Sequence, residues 1–413
     1  MLEHAEIAQD LRGAINSLDP ERPLKTDKQL EAYFVPRPFS PVEDVRILLQ
    51  DTQSPQKILF TGHRGSGKST ELAWLTRSLR EQFFVIQYSV KDRLNIFDLT
   101  HLDIVLSLAL EMVERAREEG IEVSERVQEH ILKFTKDISQ EVVSEVTAGG
   151  GVSAELNVIV AKLSSKLGAE EVTRTSVREK VSHRLSDLFE NIDLLAREIE
   201  KSTGRRLLAI VEDLDKTDLE TTKKLFYENA VSLSAPRLSV IYTFPMALRH
   251  DNDFMQIRAS FPRLYVLPNF MPRNRDGGEN EDCIDALQAI FTKRAAPHLI
   301  DANALRRLAL SSSGIPREFV AIAQTSCLEA RKAEREFVDE TCVETAIANR
   351  TREYDVLLTP EQRELLKKVR ENKRITNDKD HRSLLHNLSA LEYRNSGVWY
   401  DVHPVVAPLL DRE

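Results

Sequence analysis

The chain has 413 residues, of which 41% are hydrophobic and 30% charged, with a net charge of −9 at neutral pH. Such a composition fits a folded protein of two or three domains and excludes an intrinsically disordered one. The acidic balance argues against a protein that coats nucleic acid through bulk charge. No apolar run reaches the ~20 residues of a membrane span.

In chain order, residues 1–50 read as a polar segment, helical in places, with a proline-rich extended stretch at Val35-Pro-Arg-Pro-Phe-Ser-Pro41 and a helix over Val42–Leu49. Tyr33, Phe34 and Phe39 stand just ahead of the first strand. Their rings are candidates to stack on a nucleobase or to pack on the core.

Lys57–Thr61 reads as a short buried strand and Ser69–Leu75 as the opening of a helix. Between them Gly62, His63, Arg64, Gly65, Ser66, Gly67, Lys68 and Ser69 satisfy G-x-x-x-x-G-K-[ST], with Thr70 next in line. Strand, glycine-rich loop and helix in that order form a phosphate cradle. The glycines allow close backbone approach, and successive N–H groups at a helix N-terminus make an anion nest. Lys68 supplies a point charge for the phosphates, and the Ser69 hydroxyl is the expected ligand of Mg²⁺. The expected ligand is therefore ATP with Mg²⁺.

Phe84–Val90 predicts a second buried strand, which implies a parallel sheet covered on both faces. Residues 98–140 read as helical. Val152, Ala154, Leu156, Val158 and Val160 then alternate at period two beside Gly149–Gly151, which predicts a hairpin inserted near 140–162. Residues 175–201 read as one amphipathic helix with Leu185, Leu188, Ile192, Leu195 and Ile199 on its apolar face.

Leu207–Val211 is a continuous apolar strand that ends in Glu212-Asp213-Leu214-Asp215. Carboxylates at the C-terminal edge of a parallel strand face the ligand crevice. One is expected to hold Mg²⁺ and another to orient the attacking water. Two registers are open: Glu212 on the metal with Asp213 as base, or Asp213 on the metal itself, the preferred choice. Asp215 is expected to cap the next helix or to pair locally. Asp215-Lys216-Thr217-Asp218 also invites comparison with a guanine-reading motif. No Asp from Asp92 to Asp213 has Gly three residues on, so a GTPase is rejected.

Ser239–Thr243 predicts a strand whose final Thr243 is a candidate sensor of the γ-phosphate, or an ordinary strand end. Leu264–Leu267 predicts the last strand. Residues 281–299 and 301–310 read as helical. Ser313-Gly-Ile-Pro-Arg317 ends one helix and starts another, which puts Arg317 in a first turn able to reach a phosphate. Thr359-Pro-Glu-Gln362 predicts a capped helix. Two further short helices, the last over Arg382–Leu388, and a hairpin turning at Asn395–Gly397 complete a winged-helix pattern whose charges nearly cancel, which favours protein docking over DNA reading. Cys283, Cys327 and Cys342 lack metal-type spacing and suit buried thiols in the cytoplasm.

The expected fold class is therefore α/β: a P-loop NTPase with a parallel sheet flanked by helices, followed by a helical lid and a winged-helix domain. The expected divisions are 1–50, an ATPase core over 51–275, a lid over 276–352 and a winged-helix-like module over 355–413.

The ordered set Gly62–Ser69, Leu207–Asp215, Thr243 and Gly314–Arg317, followed by the winged-helix pattern, resembles the AAA+/STAND branch of P-loop ATPases. The likeness spans about residues 30–350 and the C-terminal module, and departs at Glu212, where Asp is usual. It implies an ATPase with Asp213, Glu212, Lys68, Arg317 and Thr243 in catalysis, and nucleotide-controlled self-association. A partner chain would supply any effector output, in signalling or phage defence, because no nuclease, protease or TIR pattern is recognisable. Arg249 and Arg263 are the candidates for an arginine donated between neighbours. The alternative within the same likeness is an ATPase that loads onto duplex DNA through its winged helix. No membrane role is expected.

Overall fold

The structure, a computed structural model, describes residues 6–139, 152–168, 170–395 and 397–411. Five strands, β1 (Lys57–Gly62), β2 (Phe83–Ser89), β3 (Arg206–Glu212), β4 (Ser239–Pro245) and β5 (Arg263–Val266), make one parallel sheet in the order β2-β3-β4-β1-β5. Alternation divides the strand residues between two cores. Ile58, Phe60, Leu208, Ile210 and Ile241 pack with Val45, Leu49, Leu72 and Leu75 of the helices Val42–Asp51 and Lys68–Leu79. Leu59, Leu207, Ala209, Val211, Val240 and Tyr242 pack with Ile104, Leu108, Leu188 and Ile192 of the helices His101–Glu118 and Leu185–Thr203. Burial on both faces explains why these strands read as unbroken apolar runs. The register sets Gly62 beside Pro245 and Ser89 beside Glu212. The C-terminal ends of β1, β3 and β4 therefore open onto one crevice.

The helices on one side of the sheet depart from the expected pattern. Val152–Leu167 is a helix rather than a hairpin strand. Its buried residues Leu156, Ile159, Val160, Leu163 and Leu167 follow helical spacing, while Val158 is 40% exposed. The period-two alternation is thus a coincidence within a 3.6-residue stripe. The other half of the expected hairpin, before Gly149, lies outside the described residues. The single helix expected over 175–201 is two, Glu171–His183 and Leu185–Thr203, interrupted at Arg184.

After the sheet come the helices Glu281–Thr292, Ala302–Ser311, Pro316–Lys332 and Glu340–Leu357. Gly314 ends one of them at φ 72°, and a Cβ there would lie 1.9 Å from the Phe270 carbonyl oxygen, so glycine is obligatory. The C-terminal module has the helices Pro360–Asn372 and Lys379–His386, the antiparallel strands β6 (Ala390–Arg394) and β7 (Val398–Val402), and a final turn, Ala407–Leu410. Thr359 and Gln362 form the expected capping box. The extra short helix expected before residue 382 is not formed: Lys373 turns left-handed at φ 54°, and Asp378 already caps Lys379–His386. Leu366, Val369, Leu384 and Leu391 share one core with Phe319, Val343 and Tyr354 and with Leu11, Ala14 and Leu18 near the N-terminus. Leu11, Ala14 and Leu18 are therefore packed with the C-terminal module.

Candidate functional site

A cavity of about 340 Å³ lies at the sheet's C-terminal edge. Arg64, Gly65, Gly67, Lys68, Ser69 and Thr70 line its floor. Gly65 and Gly67 take φ 80° and 96°, which turns the loop tightly into the helix Lys68–Leu79. Lys68 Nζ donates to the carbonyls of Gly62 (2.9 Å) and His63 (3.0 Å) and pairs with Asp215 Oδ2 at 2.8 Å. Both side chains of the pair are almost wholly buried. Burial alone would raise the Asp215 carboxyl, but Lys68, with Lys216 and Thr243, more than offsets it and holds it below the usual carboxylate range. The expectation that Asp215 caps a helix or pairs locally is corrected here: Asp218 caps the following helix, and Asp215 reaches back to the P-loop.

Glu212 ends β3 with Ser69 near its carboxylate, and its Oε1 accepts from Gln87 Nε2 at 2.7 Å. Burial raises its carboxyl above the ordinary range, against the pull of Ser69 and Gln87. Its Oε2 is buried with no partner. Asp213 sits at φ 70°, a conformation Asp tolerates better than most residues. It accepts from Ser89 Oγ at 2.7 Å and pairs with Lys216 at 2.6 Å. Glu212 thus stands toward Ser69, and Asp213 is held between Ser89 and Lys216. Thr243 lines the cavity, and its Oγ1 accepts the Leu214 N–H at 3.1 Å, bracing the turn that carries these carboxylates.

A nucleotide with a divalent ion fits these residues. The nest is floored by glycines, a lysine stands behind it, and an orphaned carboxylate oxygen of Glu212 lies on the same cavity as Ser69.

The remaining walls come from both ends of the chain. Tyr33, Phe34 and Val35 line the cavity together with Ile290, Arg294 and Val320. Phe34 is stacked on Trp74 (4.6 Å, 5°), and Arg294 lies over the Tyr33 ring at 5.3 Å. Phe39 is 57% exposed and does not line the cavity. Arg317 does line it: its backbone N–H donates to Gly65 O (3.2 Å), and its Nε donates to Pro20 O (3.2 Å).

Two P-loop residues point elsewhere. The Ser66 side chain is buried beneath the loop. His63 is buried and accepts the Glu392 backbone N–H at 2.8 Å through Nε2, which ties the loop to β6. Burial lowers its pKa to about 4, so the ring is neutral and free to accept. Glu392 itself is buried and receives Arg249 Nη1 (2.8 Å), Arg394 Nε (2.6 Å) and the Tyr400 hydroxyl (3.2 Å). Arg249 is thus engaged within its own chain. Arg263 is exposed on the edge strand β5.

Arg37, Gln87, Ser89 and Lys216 also belong to the site or brace it. Only the strand-end position of Ser89 offered a signal in the sequence. Cys283, Cys327 and Cys342 are buried free thiols, as expected. Among the described residues there is no metal-binding cluster of His, Cys, Asp and Glu, and no helix is long and apolar enough to cross a membrane.

No protein-family description matches the sequence, and no curated protein is significantly similar to it. Solved structures are similar at low identity. Cdc6p from Pyrobaculum aerophilum is 11% identical with a TM-score of 0.41, covering 96% of this chain and 97% of that one. A Walker-type ATPase of Pyrococcus abyssi is 15% identical with a TM-score of 0.43, covering 95% and 99%. The RuvB Holliday junction branch migration motor of Thermotoga maritima is 12% identical with a TM-score of 0.40, covering 96% and 99%. Likeness at this level says nothing about individual residues or activity.

Proposed function

We propose that the chain is an ATP-binding and slowly hydrolysing switch of the AAA+/STAND type, which couples nucleotide state to assembly with itself and with partner proteins. The observation that carries this reading is the convergence at one cavity of Lys68 paired with Asp215, and of Ser69 with the half-satisfied Glu212. In this reading Lys68 and the nest hold the β- and γ-phosphates. Ser69 and Glu212 hold Mg²⁺, which supplies charge neutralisation on the phosphates. Asp213, fixed by Ser89 and Lys216, orients the attacking water. Thr243 keeps the turn in place, and Arg317 follows the phosphates from the first turn of the lid.

Coupling to assembly is favoured by where the walls come from. N-terminal segment, sheet and C-terminal helices all line the cavity, and His63 links its floor to β6. A ligand that moves any wall strains the others. An effector output would lie in a partner chain. The DNA-loading alternative is disfavoured because the helix Lys379–His386 is packed on the chain's own segment Met246–His250.

The deciding experiment is calorimetric titration with Mg-ATP, together with native mass measurement with and without it. Sub-millimolar binding and a nucleotide-dependent shift in mass are expected. Absence of binding would reject the nucleotide reading; binding with one unchanging monomer mass would reject the assembly.

A further inference from the structure

Arg37 lies in the proline-rich stretch before β1, outside every motif named above, yet it is almost wholly buried beside the P-loop. Each nitrogen of its fork makes a bond. Nε pairs with Glu71 at 2.8 Å, Nη1 donates to Pro268 O at 2.6 Å, and Nη2 donates to Ser66 O at 2.6 Å. The guanidinium lies over Phe270, 4.8 Å from the ring centroid. Glu71 belongs to the first turn of the P-loop helix, and its second oxygen accepts from Ser40 Oγ at 2.7 Å.

The contact with Ser66 O has a consequence for ligand binding. Ser66 C=O and Gly67 N–H belong to one planar trans peptide, so the two bonds point in opposite directions. Holding the carbonyl toward Arg37 turns the Gly67 N–H away from Arg37. Gly67 lines the cavity at the start of the helix, where an N–H lacks an intrahelical acceptor. A Cβ at Gly67 would lie 3.0 Å from Arg37 Nη2, so the loop and the guanidinium are in contact with no slack.

We infer that Arg37 is a positioning residue for the phosphate nest: it fixes the Ser66–Gly67 peptide so that the Gly67 N–H faces bound phosphate. Nucleotide affinity is then set partly by a segment about thirty residues upstream of the loop. A lysine at position 37 could not replace this function, because one ammonium cannot meet three acceptors spread around a planar fork. The inference rests on the nucleotide reading of the cavity.

The test uses the full chain as wild type, as the double variant Arg37→Met/Glu71→Gln, and as Arg37→Lys. The double variant removes both charges, so neither is left buried alone. Arg37→Lys serves as the second route should the double variant fail to fold. Melting without ligand is measured first, then affinity for Mg-ATP, ADP and inorganic pyrophosphate. Both variants are expected to lose about tenfold in affinity, as for one charge-assisted contact. The loss should be equal for all three ligands, because pyrophosphate engages only the loop. In selectively ¹⁵N-glycine-labelled protein, the Gly67 amide resonance should shift with pyrophosphate in wild type and much less in the variants, which general destabilisation would not produce. A folded variant with wild-type affinity for pyrophosphate overturns the inference alone. A wild type that binds none of the three removes the nucleotide reading and this inference together.

Discussion

Lys68 Nζ and Asp215 Oδ2 form a buried ion pair 2.8 Å apart, and the same ammonium donates to the carbonyls of Gly62 and His63. An ammonium has three donors, so all are taken. A phosphate must therefore displace one of these partners, and Asp215 is the anion among them that competes with it. Asp215→Asn should weaken that competition and raise affinity for ADP about fivefold, equivalent to ~1 kcal/mol. The same change should lower stability without ligand by up to about 3–5 kcal/mol, because Lys68 is left without its counter-charge. Lys68→Ala should cost at least about tenfold in Mg-ATP affinity, and Lys68→Ala/Asp215→Asn should recover stability but not binding. Calorimetry and urea denaturation on the four proteins check this. ADP binding to Asp215→Asn that is equal to wild type or weaker would show that Asp215 does not compete for Lys68.

Glu212 and Asp213 are adjacent but differently occupied, so their substitutions should separate. Glu212→Gln keeps an acceptor for Gln87 and removes the charge beside Ser69. It should abolish the gain in ATP affinity that Mg²⁺ provides. Asp213→Asn should leave Mg-ATP binding within about threefold and cut turnover at least about tenfold, as for loss of a general base. Steady-state hydrolysis and titrations with and without Mg²⁺ distinguish the two. Unchanged turnover in Asp213→Asn would transfer the water-orienting role to Glu212 or Asp215.

The sheet and the P-loop were legible in the sequence because their signals are local. Buried parallel strands need unbroken apolar runs, and the nest needs glycines at fixed spacing. Asp215 and Arg37 were not legible for the opposite reason. Each acts across the fold, and nothing in their own neighbourhoods distinguishes Asp215 from a helix cap or Arg37 from a surface arginine. The Val152–Val160 stretch shows a different failure. Nine residues with apolar side chains at alternate positions also satisfy part of a helical stripe, and only the burial of Ile159 and exposure of Val158 separate the two. In the C-terminal module, the capping box at Thr359 and the pairing of β6 with β7 were readable in the sequence. The module's packing on the chain's own core depends on the Glu392 contacts, which no periodicity encodes.

Two buried histidines should make the fold acid-labile. Burial lowers the pKa of both His63 and His403 to about 4, against about 6.5 in the unfolded chain. Between those values the unfolded state binds more protons, so stability is complete above about pH 6.5 and falls as the pH drops toward 4. Each histidine contributes a slope approaching about 1.4 kcal/mol per pH unit in that window. His403 is the cleaner probe: it stacks on Tyr354 at 5.6 Å, and its Nε2 has no partner. His403→Phe keeps the ring and loses only the acceptor for the Val405 N–H. Its stability at pH 7 should fall, but the dependence between pH 6.5 and 4.5 should flatten by about one proton. Urea denaturation across that range measures the slope, and an unchanged slope would mean that His403 ionises in the folded state as readily as in the unfolded one.

The helix that would enter a DNA groove is already committed to protein contacts. Lys379–His386 packs on Met246–His250, with Arg382 held by the Asn377 carbonyl (2.9 Å) and near Asp251 (3.8 Å). Beside it, Glu392 is buried among Arg249, Arg394 and Tyr400, and its N–H is bonded to His63. Freeing this helix for duplex would expose Glu392 or strand it without Arg249. Specific binding also needs several unopposed cations on phosphates, whereas the chain carries a net charge of −9. The full chain should therefore bind duplex DNA weakly, at micromolar affinity or worse, with a shallow dependence on salt. Arg249→Ala should cost about 1.5–3 kcal/mol by removing one of the two guanidinium partners of the buried Glu392, which keeps Arg394 and Tyr400. It should loosen the C-terminal module, detectable as faster proteolysis within residues 355–411, without creating tight DNA binding. Titration of wild type and Arg249→Ala with duplex at about 50 and 200 mM salt gives the answer. Sub-micromolar affinity in wild type that collapses at the higher salt would make DNA the partner of this module. The same behaviour in Arg249→Ala alone would mean that docking masks a DNA-binding face.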